Sequence, residues 1–231
     1  MSVVKAHHLQ ATGLALWGLM LLRASSDGRL DLLLRGVFHP LVSLAGLILL
    51  IWAAALVLPG RSSSIGTPAT PQQRRLSAAT AVAALLLIGL PPNPSFADLA
   101  QQRASDDSGE AELAFVLPPA QRSLTDWVRL LRTQSDPRLS VGDPVRISGF
   151  VLPRRDGPPV LARLLVRCCL ADATPVGLSV RWPTNQPLPR ADQWLQIHGQ
   201  MAVQQGPQGE EPVVIPQRIT PIQRPARPLE P

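Results

Sequence analysis

The stretch Val37–Leu58, VFHPLVSLAGLILLIWAAALVL, carries no charged residue from end to end. About 20 consecutive apolar residues in a helix match the hydrocarbon core of a bilayer. A helix that is apolar all round needs either lipid or protein partners on every side. The run therefore predicts a membrane-spanning helix. Pro40 falls in its first turn, where a missing N–H costs no intrahelical hydrogen bond. The rest of the chain has to be arranged around a lipid anchor.

Two more apolar runs flank this one. Leu9–Leu22 ends at Arg23 and can be extended back through His7 and His8. Leu76–Leu90 follows Arg74-Arg75 and stops at Pro91-Pro92. We expect two to three N-terminal transmembrane helices, near residues 7–22, 37–58 and 76–92, inside an anchor region 1–97. The third run also has the outline of a secretory signal, with two arginines, an apolar core and then PPNPSFA, whose Ser95 and Ala97 are small. We read it as an uncut span, because the earlier runs already commit the chain to the bilayer. On either reading the tail crosses the membrane.

Charge placement decides between partner classes. The formal net charge is +6. Residues 1–97 hold Lys5, Arg23, Arg29, Arg35, Arg61, Arg74 and Arg75 against Asp27 and Asp31, whereas residues 98–231 hold 15 Arg against 14 acids. A basic surplus beside lipid reads as topology. A nucleic-acid binder would concentrate it on the folded part, so no nucleic-acid partner is expected. Lys5, Arg61, Arg74 and Arg75 fall on one side of the bilayer and Arg23, Arg29, Arg35 and Arg103 on the other, an even count. The signal-like outline of the third run breaks the tie. It places the N-terminus and the Arg74-Arg75 loop in the cytoplasm and the tail outside.

The tail begins with a polar, acidic, proline-dotted stretch, read as a flexible linker over 98–120. SLTDWVRLLRTQSDP then predicts one amphipathic helix. Ser123 is its N-cap, Asp126 closes a capping box, and Leu124, Trp127, Val128 and Leu131 form the apolar stripe. Beyond Asp136-Pro137 the period changes to two. Strands are expected at Val145–Leu152, Val160–Cys169, Val176–Trp182, Trp194–Val203 and Glu211–Ile222. Gly149 marks a bend in the first strand, Arg163 and Arg167 read as a solvated face, and the prolines of the last strand suit an edge. Five strands with a bent first member predict a small OB-like barrel. The fold class is membrane-anchored α+β, with the helix and barrel in 121–224 and a disordered tail over 225–231.

Both cysteines of the chain, Cys168 and Cys169, are adjacent. Neighbouring Cα atoms stand about 3.8 Å apart, whereas ordinary disulfides want about 4.4 to 6.8 Å. A bond between them would be strained, and in a regular strand the two thiols point to opposite faces. Three readings stay open: Cys168 as a small core residue, the two thiols as soft metal ligands, or a redox pair. A thiophilic ion such as zinc needs more than two donors. Asp172 stands three residues on, and His198 faces outward on a strand of the same barrel. The candidate metal ligands are therefore Cys168, Cys169, Asp172 and His198. His7, His8 and His39 lie in or beside the membrane part, and no CxxC or HxxxH spacing occurs.

GFVLP at Gly149–Pro153 and RLLVRCCLADATPVGLSV at Arg163–Val180 resemble the C-terminal domain of the YcgQ-like permease-subunit family. The shared pattern is Cys-Cys-x-Ala-Asp-Ala-x-Pro-x-Gly, here Cys168, Cys169, Ala171, Asp172, Ala173, Pro175 and Gly177. The likeness is firm from about Leu124 to Gln200. It implies a bacterial inner-membrane protein and a multi-span partner permease of the organoarsenical-efflux type. The expected function is an accessory subunit, not an enzyme, whose barrel binds or gates a metal or metalloid. The rival readings are a membrane-tethered thiol-disulfide oxidoreductase, which would want a CxxC at a helix start, and an OB-like binding module. The latter would want exposed aromatic side chains, for which Trp194 and Phe150 are the candidates.

Overall fold

A computed structural model of the chain describes residues 2–58, 70–90, 93–103, 117–134, 136–206 and 209–230, with the side chains of 2–9, 73 and 74 outside that description. Arg61, Pro91-Pro92, the side chain of Arg74 and the middle of the expected linker, 104–116, lie outside the described residues. The chain divides into two compact units, Met1–Asn93 and Pro94–Pro231.

The first unit is helical: α1 (Ser2–Ser26), α2 (His39–Val57) and α3 (Pro71–Gly89), with 3-10 turns at Arg29–Leu32 and Gly36–Phe38. Helices α1 and α2 pack closely where glycines meet, since a Cβ on Gly18 would lie 2.8 Å from the Gly46 carbonyl oxygen. One turn away the Ser43 hydroxyl donates to Ser25 Oγ at 3.0 Å. Arg29 pairs with Asp27 at 2.8 Å and donates to the carbonyls of Leu87 and Ile88, end-groups of α3 that have no intrahelical donor.

Among the described residues one helix, Gly36–Val57, is long and apolar enough to cross a membrane, with mean hydropathy 2.4 and only 11% of it buried. Leu41, Leu44, Ile48, Ile51 and Trp52 all stand exposed along it. A continuous bare apolar surface of that kind suits lipid contact. The expectation of two to three spans is thus supported for one. In α3 the apolar part is only Arg75–Gly89, short of the roughly 20 residues a span requires.

The second unit opens with α4 (Phe96–Gln101), capped by Ser95, whose hydroxyl accepts from the Asp98 amide at 3.1 Å. A helix therefore stands where the expected linker began. Phe96, Ala97 and Ala100 are buried, and the Ala97 amide donates to Asp192 Oδ1 at 2.6 Å. A signal-type cut after Ala97 would strip Phe96 from this packing. Helix α5 (Leu124–Thr133) has the capping box expected of Ser123 and Asp126.

Strands β1 (Pro144–Leu152), β2 (Val160–Leu165), β3 (Thr174–Val180), β4 (Trp194–Gly206) and β5 (Gly209–Pro221) come next, then the short β6 (Leu229–Glu230). Pairing runs β1–β2–β3–β5–β4 and back to β1, closing a five-stranded barrel in which only β3 and β5 are parallel. Strand β1 changes partner at its centre: residues up to Phe150 pair with β4, and Phe150–Leu152 pair with β2. The bend sits at Gly149, where a Cβ would lie 2.5 Å from the Ala162 carbonyl oxygen. Strand β5 is flanked by β4 and β3 and is not the edge expected from its prolines. Pro216 sits opposite Gly199 at a register shift after His198, so the ladder is already broken there.

Two apolar clusters hold this unit. Inside the barrel, Val145, Ile147, Val151, Leu161, Val176, Leu178, Val180, Leu195, Ile197 and Met201 pack with Leu124 and Trp127 of α5. Outside it, Phe150 and Trp194 pack with Phe96 and Ala100 of α4 and with Leu164 and Val166. Trp194 meets Phe96 edge-on at 6.1 Å between ring centroids, a favoured aromatic geometry. The two aromatics expected on an open binding face, Phe150 and Trp194, are thus buried.

Arg163 also departs from expectation. It is 8% exposed. It donates to the Ser148 carbonyl, Ser148 Oγ and the Pro228 carbonyl, pairs with Glu230 at 3.2 Å, and lies over Trp194. Its burial lowers its pKa, with Glu230 opposing the shift. The expected solvated face is corrected by the register: Arg163 pairs with Val176 and shares the face of Leu161, which lines the barrel interior, whereas Ala162 and Leu164 face the outer cluster. Residues beyond 224, expected to be disordered, return to the sheet as β6, parallel to β2.

Candidate functional site

Strand β2 ends at Leu165, and the Val166 amide turns to the Glu230 carbonyl at 2.9 Å. The chain then leaves the sheet in a tight turn, passes a 3-10 segment at Leu170–Asp172 and re-enters at Thr174. Asp172 makes that turn. Its carboxylate accepts from the amides of Arg167 at 2.9 Å, Cys168 at 2.8 Å and Cys169 at 3.4 Å. Three consecutive N–H groups converging on one carboxylate is the local side-chain-to-backbone bonding that makes aspartate a turn former.

This turn overturns the expectation that the two thiols diverge. The strand expected to run through Cys169 stops four residues earlier, and the strand geometry that would separate the side chains is gone. Both cysteines are free, Cys168 exposed and Cys169 half-buried, with sulfurs 3.5 Å apart. One sulfur of each and one Asp172 oxygen lie within 4.8 Å of one another. Two thiolates on a tetrahedral zinc, with Zn–S bonds near 2.3 Å, stand about 3.8 Å apart. The sulfur spacing is compatible with one ion, and Cys168, Cys169 and Asp172 form a possible metal-binding group.

The Cys168 thiol is pushed up to about 12, first by its hydrogen bond to Asp172 and then by the one with Cys169. Desolvation opposes ionisation of Asp172, yet hydrogen bonds from the Cys168 thiol and the three amides outweigh it and hold the carboxyl below its ordinary value. In the metal-free state Cys168 is a neutral donor to an anionic acceptor. That is a poor nucleophile and a ligand that releases a proton when a cation arrives.

His198 does not join them. It sits on β4 in register with Arg146 on one side and Arg218 on the other, and it is outside the cluster. Residue spacing alone carries no strand register with which to place it. Arg103 is the residue that was missed: its guanidinium donates to the carbonyls of Ala171 at 2.6 Å and Ala173 at 2.9 Å, clasping the sulfur turn from about 70 residues upstream. Nothing in the residues around Arg103 signals this contact.

A comparison with known families decides what this turn resembles. Residues 126–229 match the family model of the DUF1980 C-terminal domain. The match takes in α5 from Asp126 onward, the whole barrel and the Cys168–Gly177 motif, and it is consistent with a YcgQ-like family. No curated protein and no solved structure matches the chain. The compact unit that carries the DUF1980-like region begins earlier, at Pro94, and includes α4 and Arg103.

Proposed function

We propose that this chain is a membrane-anchored accessory subunit of a two-component permease, and that its barrel binds a thiophilic metal or metalloid cargo through Cys168, Cys169 and Asp172. The observation that carries the reading is the exposed three-donor turn. The chain that bears it also bears a bare apolar helix of spanning length. The barrel's strand order, with β3 parallel to β5, supports an OB-like topology. The even balance of charge in the tail and the signal-like third run support an extracytoplasmic position. The raised Cys168 thiol disfavours the nucleophilic thiolate chemistry of an oxidoreductase, and metal binding there would have to displace its proton. An open coordination position suits cargo that must leave again, or a fourth donor from the partner permease.

The test uses the full chain in nonionic detergent, titrated with Zn(II) while free thiols and released protons are counted. One ion bound per chain, with both thiols protected from alkylation, is expected. The Cys168→Ser/Cys169→Ser variant should lose that binding. If the double variant binds as tightly as the parent, the metal reading fails. If affinity capture from membranes brings down no multi-span protein, the permease pairing fails.

A further inference from the structure

Next to the sulfur turn the second unit has an open cleft of about 680 Å³. Arg103, Arg132, Arg154 and Arg155 line it, with Val160 and Val176 in its floor. No aspartate or glutamate is among the described residues that line it. Arg103 is held in place by the carbonyls of Ala171 and Ala173. Arg154 and Arg155 stand exposed on the β1–β2 turn and Arg132 on the last turn of α5. None of these last three forms an ion pair or hydrogen bond among the described residues.

Four guanidinium groups around one cleft repel one another, and an anion relieves that repulsion. A single carboxylate would neutralise only one of them. A phosphate offers more charge and more acceptor oxygens, and the planar fork of arginine matches it bidentately. The cleft is also far larger than a phosphate ion, and its floor is apolar. We propose that it is a binding site for a phosphate monoester carrying an apolar or neutral body. This is separate from the metal site: no cysteine lines the cleft. Such a phosphate belongs either to a free metabolite or to the headgroup of a lipid, and one experiment separates the two.

The full chain in nonionic detergent at low salt is titrated calorimetrically with three probes: inorganic phosphate, glycerol 3-phosphate and dihexanoyl phosphatidic acid. Inorganic phosphate should bind weakly and at least one ester at least tenfold more tightly. The Arg154→Gln/Arg155→Gln variant, altered only at exposed positions, should lose at least tenfold for every probe. Affinity should fall as salt rises. A tenfold preference for the phosphatidic acid over glycerol 3-phosphate assigns the site to a lipid headgroup, and its absence assigns it to a free ester. Binding by none of the probes, or equal binding by the double variant, overturns the proposal. The Cys168→Ser/Cys169→Ser variant should bind phosphate like the parent, so failure of the metal reading leaves this result standing.

Discussion

Replacing Asp172 with asparagine should make Cys168 reactive. The thiol stands at about 12 against an ordinary 9.0, and its hydrogen bond to the Asp172 carboxylate is the largest cause. Asparagine keeps the volume and removes the charge. Near pH 8, a thiol at about 12 is ionised in roughly one molecule in ten thousand, and one at about 9 in roughly one in ten. Full release would raise the thiolate population about a thousandfold. A less basic thiolate is also a weaker nucleophile, and a Brønsted slope of about 0.4–0.5 removes roughly twentyfold of that gain. About fiftyfold remains as an upper bound. The hydrogen bond with Cys169 survives the substitution, and water screens an exposed thiol, so the expected acceleration is about 5- to 50-fold. The assay is exchange with an aromatic disulfide in the full chain, each cysteine followed separately by mass spectrometry. The parent's rate at Cys168 should keep climbing with pH up to its high pKa, because ionisation is completed only there. The variant's should level off near the ordinary thiol value. A rate within twofold of the parent at every pH would show that the carboxylate does not hold the proton, and the account of the turn would fail.

Arg163→Ala leaves Glu230 and the Ser148 carbonyl without their buried partner. It should cost about 3 kcal/mol in urea denaturation; adding Glu230→Gln should recover part of that, and a loss under about 1 kcal/mol would contradict the buried pair. Gly199→Ala puts a Cβ 2.1 Å from the Ile215 carbonyl oxygen. Backbone atoms cannot swing away, so overpacking should destabilise the barrel by at least about 1–3 kcal/mol, read as a lower melting temperature.

Much of the barrel was legible because its inward residues alternate. Val145, Ile147 and Val151, then Val176, Leu178 and Val180, carry the period of two, and all are buried. The capping box at Ser123 was legible because its donors and acceptors lie three residues apart. What escaped detection depends on contacts distant in sequence. Phe150 and Trp194 were rightly placed on the outer face, but alternation is silent on whether another element covers that face; on β2 alternation fixed the two faces but not which of them lines the barrel, so Arg163 was put on the wrong one. Phe96 covers Phe150 from 54 residues upstream, and Glu230 pairs with Arg163 from 67 residues downstream. The cysteine turn was half legible: Asp172 stood out beside the two cysteines as a candidate ligand, but strand propensity carried β2 too far. The amides that Asp172 gathers end the strand early and bring the sulfurs together.

The clasp of Arg103 on Ala171 and Ala173, with Phe96 lying against Trp194, means that the independent piece of this protein is longer than the stretch by which it is recognised. A fragment trimmed to start at Asp126 would bare two aromatic rings to water and unlatch the backbone behind the sulfurs. Stickiness or erratic thiol titres in such a fragment would then reflect where the scissors fell, and a cut at Pro94 would restore the native behaviour.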